Sequence, residues 1–326
     1  MKKGVVLSLL LSLVLVGGAT RALAWGSATH AFIAGKIGMI FPMMNANERY
    51  GLMAPDLFNY SFDPVINSMN PILRAYTHGD DGPMGDGFLQ VWSLASWWGY
   101  QKNVAFGYIA HNDKWGADFT AHHQAYANAP LGYVIDKALQ LSVILDSELT
   151  SLGLSDADPT LHYLRIEVCH NLVETAGDIL IKRYDPLIGQ KIVSAAILRT
   201  PDFPGLLKKA ILPAVPAADQ AQYEAAIVEN EKSFRQMMVS YGAILMLPEG
   251  QVISAFTDQM TTLGIQYLYA MTGGVLNLTG QESAVRPVVL KAITESMKLC
   301  AGDYISEINY TTRFVKGQLL AHGIRY

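Results

Sequence analysis

Apolar and polar positions along the chain repeat mainly at helical spacing. In "HAFIAGKIGMIF" (30–41) apolar side chains recur every three or four residues. The same period runs through "VAFGYIAHNDKWGADFTAHHQAYA" (104–127), "GYVIDKALQLSVILDSEL" (132–149) and "PTLHYLRIEVCHNLVETAGDILIKRY" (159–184). Further on, 217–246 and 250–276 read as two more long, half-buried helices. Breakers separate these runs: "APDLFNYSFDP" (54–64), "THGDDGPMGDG" (77–87), "LGLSDADP" (152–159) and "YDPLIG" (184–189). "SDADPT" (155–160) is a helix start, and "FPGLLKKAILPAVPAAD" (203–219) reads as a Pro-broken connection. Alternating β-runs are scarce, so the pattern predicts an all-α protein.

The first 24 residues break this picture. Lys2 and Lys3 precede an apolar run (4–18), and Ala22-Leu23-Ala24 supplies the small-x-small step of a cleavage site. The run is shorter than a membrane span, so a secretory signal is expected over 1–24, with the processed chain secreted or periplasmic and starting at Trp25. No later stretch is an uninterrupted apolar span. A catalytic domain is expected over 25–185, and a helical region over 186–326 packed on it. The chain of 326 residues is 51% hydrophobic, enough for a large core. It carries 24 basic and 28 acidic side chains; losing Lys2, Lys3 and Arg21 leaves 21 against 28, a net charge of −7. That charge argues against a general nucleic-acid binder. Two cysteines, Cys169 and Cys300, exclude a disulfide framework and leave open one bridge or two free thiols.

The chain has eight histidines, and their placement is informative. His111, Asp118 and His122 stand at i, i+7 and i+11, which on one helix places them within roughly 40° of each other. Asp113 falls on the far side. His170 and Glu174, at i and i+4, share a face of a later helix. Imidazole and carboxylate in this mixture suit Zn²⁺, and facing helices build such sites. His78 and Asp56 sit in turn-rich loops that can bring them to the same place. Cleavage after Ala24 frees the Trp25 amine, with a pKa near ~8. Its nitrogen and carbonyl oxygen can chelate an ion that His30 completes. His123, His162 and His322 read as ordinary surface or core residues.

Taken together, "WGSATH", "APD", "THGD", "GYIAHNDKWGADFTAHH" and "HNLVE" resemble the zinc-dependent phospholipase C family. They are more distantly similar to the single-strand nucleases of the same superfamily. The resemblance covers residues 25–180. It implies a helical bundle of that type with a helical C-terminal extension, and two to three zinc ions. One ion would take Asp56, His78, His111 and Asp118. A second would take His122, His170 and Glu174. A third would take Trp25 and His30, with Asp118 bridging. Two features depart from the family pattern. The bridging carboxylate usually lies one turn after the central histidine, where this chain has Trp115. The short step from Trp25 to His30 is nuclease-like, whereas Glu174 is phospholipase-like.

The implied activity is hydrolysis of a phosphodiester, with Asp56 orienting or deprotonating the attacking water. Glu174 and the negative charge favour a glycerophospholipid substrate, cleaved to diacylglycerol and phosphorylated head group, with peripheral membrane contact and no nucleic acid. A single-strand nuclease-like phosphodiesterase and a non-catalytic secreted metal-binding protein are the alternatives. No GxSxG nucleophile elbow is present, and "GPMGDG" lacks the Lys-Ser/Thr of a phosphate loop.

Overall fold

The computed structural model describes residues 25–59, 66, 68–79, 85–126 and 131–325. Among these residues there are 15 α-helices and no strand, so the fold is all-α. The expected signal segment and parts of the 54–64 and 77–87 loops lie outside the described residues.

The N-terminal half runs through α1 (Ser27–Ile37), α2 (Pro42–Met53) and a 3-10 turn (Ala54–Phe58). It continues through α3 (Asn70–Thr77), α4 (Leu89–Leu94), α5 (Gln101–His111), α6 (Ala117–His122), α7 (Tyr133–Ile144) and α8 (Asp146–Ser151). Helix α9 (Pro159–Tyr184) is the spine of the molecule. It starts where the sequence says: Asp158 accepts from the Thr160 and Leu161 amides at 2.8 and 3.1 Å, and Pro159 occupies the first turn. The rest comprises α10 (Ile188–Leu198), α11 (Phe203–Ile211), α12 (Gln220–Met246), α13 (Glu249–Met271), α14 (Glu282–Cys300) and α15 (Tyr304–Ala321).

Three local expectations need correction. The 30–41 helix stops at Ile37, where Gly38 turns the chain into an extended conformation. The 203–219 segment is no mere connection: it holds α11 and a 3-10 turn (Leu212–Ala214), because Pro204 and Pro213 sit in first turns, where a missing amide costs nothing. Most consequentially, 104–127 is two helices rather than one. Asn112 leaves the helical region, and its side-chain oxygen accepts from the Lys114 and Trp115 amides at 3.0 and 2.9 Å. This Asx turn competes with the helix ladder and wins.

Close backbone approach sets how α2 meets α5. A β-carbon at Gly51 would run into the Val104 carbonyl oxygen, and one at Gly107 into the Glu48 carbonyl oxygen. The two glycines let the backbones touch, which carries His111 to the end of α2.

Helices beyond residue 186 pack on the N-terminal ones through polar as well as apolar contacts. Tyr304 and Thr29 share a hydrogen bond of 2.6 Å, Thr311 and Thr120 one of 2.7 Å. Tyr50 donates to Glu231 at 2.7 Å. Helix α9 packs against α7, α13 and α14. Cys169 and Cys300 are free and buried. No described helix is long and apolar enough to cross a membrane.

Candidate metal centre

Five of the expected site residues converge in the buried interior between α1, the 3-10 turn, the end of α3, the end of α5 and the start of α6. His30, Asp56, His78, His111 and Asp118 are all buried. In each of two triads, His30–Asp56–His111 and His78–His111–Asp118, one ligand atom per residue lies within 4.8 Å of the others. These buried groups can hold a metal ion.

The hydrogen bonds behind the imidazoles decide what faces inward. His111 Nδ1 lies 2.8 Å from the Leu52 carbonyl oxygen. A carbonyl only accepts, so Nδ1 carries the proton and the neutral ring turns a lone pair on Nε2 towards the cluster. Thr77 donates its hydroxyl hydrogen to the Leu73 carbonyl at 2.7 Å and therefore accepts from His78 Nδ1 at 2.8 Å. His78 Nε2 is thus also a bare lone pair. These two nitrogens sit 3.2 Å apart. His111 Nε2 is 2.8 Å from Asp118 Oδ2, and His78 Nε2 is 3.3 Å from Asp56 Oδ1.

Such a constellation brings lone pairs against lone pairs. Burial, with His111 and His78 next, lowers the His30 pKa well below that of a free imidazole. Burial likewise lowers His78 and His111. It pushes Asp56 up to about 6 and Asp118 well above the usual carboxylate range, the latter with help from Asp56. Every group resists its own charge. Protons on the carboxyls relieve part of the repulsion; a divalent cation satisfies all the lone pairs at once.

Asp118 is the hub. Its Oδ1 faces His30 Nε2 at 3.4 Å, while Oδ2 faces His111 and His78 at 2.8 and 3.6 Å. Neither oxygen has a hydrogen-bond partner among the described residues, and neither do the two nitrogens of His30. The Asx turn at Asn112 explains how a residue seven positions after His111 reaches it: the chain folds back instead of rising two turns.

His122, His170 and Glu174 form a neighbouring group. The His122 and His170 rings meet edge-on with centroids 5.3 Å apart, and His170 Nε2 is 3.1 Å from Glu174 Oε1. Burial, then Asp56 and Asp118, raises the Glu174 pKa well above its usual value. Asp113, read from sequence as facing away, stands behind this group. The helix break turns it so that it lies 2.8 Å from His122 Nδ1, 3.2 Å from His123 Nε2 and 3.1 Å from Arg74. Burial opposes its charge, but His122 and His123 hold the Asp113 carboxyl well below the usual range. A carboxylate behind a ligating imidazole orients the ring and raises its basicity.

Trp25 is buried, and its indole N–H donates to the Ala117 carbonyl at 2.9 Å. This pins Trp25 beside the start of α6, which carries Asp118. The expected amine ligand depends on the bond to Ala24, which lies outside the described residues. Asp178 completes the anchor. It accepts from the Ala28 amide (2.6 Å), the Thr29 amide (2.8 Å), the Thr29 hydroxyl (2.7 Å) and the Tyr241 hydroxyl (2.6 Å). Sequence reasoning missed Asp178, although its position eight residues after His170 put it on the ligand face of α9. Elsewhere, His123 is exposed, His162 pairs with Asp156 at 3.0 Å, and His322 stacks on Trp115. None of the three joins the five-residue cluster.

Comparison with protein-family models, with curated proteins and with solved structures gave no match.

Proposed function

We propose that the chain is a zinc-dependent phosphodiester hydrolase and that its substrate is a phospholipid. One observation carries the reading: Asp118, fully buried, turns its two oxygens towards different imidazoles, and neither oxygen has a hydrogen-bond partner among the described residues. Nitrogen and carboxylate oxygen in this proportion, with no thiolate, suit zinc. Asp56, His78, His111 and Asp118 would hold one ion, and His30 with Trp25 another that shares Asp118. His122, His170 and Glu174 would hold a third. Bound zinc lowers the pKa of water and neutralises phosphoryl oxygens.

The chain's own residues supply positioning. Leu52 and Thr77 fix the tautomers of His111 and His78, and Asp113 orients His122. Asn59 donates to Asp56 Oδ1 at 2.7 Å and leaves Oδ2 to take up a proton from the attacking water. Exposed Ile40, Phe41, Trp97 and Trp98 supply apolar surface for peripheral contact with a bilayer.

The test combines metal analysis with a substrate panel. The protein is expected to hold two to three zinc ions and to release phosphorylated head group from phosphatidylcholine or phosphatidylethanolamine vesicles. A chelator should stop the release and zinc should restore it. Cleavage of single-stranded DNA or RNA without head-group release would overturn the phospholipid assignment. Full activity in metal-free protein would overturn the centre itself.

A further inference from the structure

Among the described residues, Asp118, Glu174 and Glu167 are the buried acids with a carboxylate oxygen that meets no hydrogen-bond partner. The first two belong to the expected ligand set. Glu167 does not, and nothing in the proposed chemistry uses it. Other buried acids are met by protein donors. Glu48 accepts from the Met39 amide and Asn45, Asp178 from Thr29 and Tyr241, Glu231 from Tyr50 and Arg199, and Glu307 from the Tyr126 amide. A buried oxygen without a donor is costly, so the exception asks for an explanation.

Glu167 lies on the ligand face of α9. Glu167, His170 and Glu174 stand at i, i+3 and i+7, within roughly 60° of one another around the helix. The three are close enough in space for Glu167 to add to the rise of the Glu174 pKa. Glu167 is nevertheless not one of the ligands. Asp118 and Glu174 each have an imidazole nitrogen within ion-pair reach, at 2.8 and 3.1 Å, and Glu167 has none among the described residues. Its exposure matches the groups at the edge of the centre. Asp56, His78, Glu167 and Glu174 retain 4–5%, whereas His30, His111, Asp118 and His170 retain none.

Burial pushes the Glu167 pKa up to about 7, with His122, Tyr163 and Arg74 pulling the other way. Such a carboxyl holds its proton near neutrality and can still release it. Asp56 and Glu167 border the centre through different groups. Asp56 lies against His30, His78 and His111; Glu167 lies towards His122 and Glu174. In-line displacement puts the entering and leaving oxygens on opposite sides of phosphorus. Two carboxyls divided in this way suit a base on the entering side and an acid on the leaving side.

We propose that Glu167 is the general acid of the hydrolysis and protonates the leaving oxygen. The bond from the water oxygen to phosphorus forms while the ester P–O bond breaks, and the water proton passes to Asp56. The electron pair of the broken bond stays on the leaving oxygen, which takes the Glu167 proton and departs as an alcohol. Solvent then returns a proton to Glu167 and removes the one on Asp56. The assignment rests on the hydrolase reading.

The experiment uses the full chain, expressed with its own N-terminal segment and loaded with zinc. Its probes are phosphocholine esters that differ only in the leaving group. Nitrophenol leaves as a stable anion and needs no acid; butanol does need one. Glu167→Gln keeps the shape and removes the proton that is given away. It should slow the butyl ester at least about a hundredfold and the nitrophenyl ester less than about threefold. Zinc per chain should not change. The wild type gives a second reading, which serves if the variant fails to fold. Its rate across a series of substituted phenyl and alkyl esters should depend only weakly on the leaving-group pKa. Equal slowing of both esters, loss of zinc in the variant, or a steep dependence in the wild type overturns the assignment and leaves the hydrolase reading in place. Absence of hydrolysis of every ester by the wild type overturns the hydrolase reading and this assignment with it.

Discussion

Asp118 and Asp178 are both fully buried aspartates, and they lie in opposite situations. Asp178 accepts four hydrogen bonds, two from amides of α1 and two from hydroxyls. Asp118 accepts none from the described residues and faces three imidazoles, with the Nε2 lone pairs of His111 and His78 pointing at it. Burial raises the pKa of both, but at Asp178 the Tyr241, Ala28 and Thr29 donors pull it back. One carboxylate is completed by the protein and serves the fold. The other stands in a group that could hold a metal ion. A buried charge is therefore informative through its unmet partners, not through its burial.

A second cluster extends the contrast. Arg199 places its fork on Glu231 at 2.6 and 2.9 Å, and Tyr50 donates to the same carboxylate. Like Asp178, this carboxylate has both oxygens met by protein donors.

The largest expected effect comes from breaking the incomplete site. His111→Ala should lower the zinc count and reduce hydrolysis by more than about a hundredfold, since even residues behind a metal ligand commonly cost 10–100-fold. Circular dichroism should still show a helical protein. Retained zinc and retained activity in this variant would sink the site. At the complete cluster the loss should instead appear in stability. Glu231→Ala leaves the half-buried Arg199 and the buried Tyr50 hydroxyl without their shared partner and should cost about 3 kcal/mol in denaturant unfolding. Zinc per folded molecule should not change; a fall in zinc would show that the two clusters are not separate.

Asp178→Asn tests the boundary between them. It keeps one acceptor oxygen and loses the other, which should cost about 1–3 kcal/mol. Because Asp178 anchors the segment that carries Trp25, zinc affinity should weaken modestly as well. Stability loss with no change in zinc binding would detach Trp25 from the centre.

The smallest effect concerns an intermediate case. Both oxygens of Glu307 share one donor, the Tyr126 amide, at 3.1 and 2.8 Å. Burial pushes its pKa up to about 7. The folded state thus keeps this proton to a higher pH than the unfolded chain does. The penalty is absent below the ordinary value near ~4.3 and grows as pH rises to about 7. Glu307→Gln should gain on the wild type in melting temperature between pH 5 and pH 8. A constant difference across that range would remove the titration from the account.

Much of the molecule was legible in the chain. Period 3.6 marked α9, α12 and α13, and Asp158-Pro159 marked where α9 begins. The spacing of His170 and Glu174 placed them on one face, and the structure pairs them at 3.1 Å. The 111–122 segment was legible only in part. Periodicity favoured one helix, and the Asn112 side chain made two. Asp118 still reaches His111, but by a reversal of the chain that helical angles do not describe. The same break turned Asp113 towards His122.

The sequence by itself determined the helical class and the stock of imidazoles and carboxylates, because local backbone preferences and side-chain chemistry are properties of short segments. Tertiary structure alone decided which of those groups meet. The Gly51–Gly107 contact brings α2 against α5, Asp178 reaches across 150 positions to the start of α1, and α13 and α14 close a cavity beside Asn59 and Asn171. Each depends on groups far apart in the chain competing for one volume, and no periodicity within a segment records that.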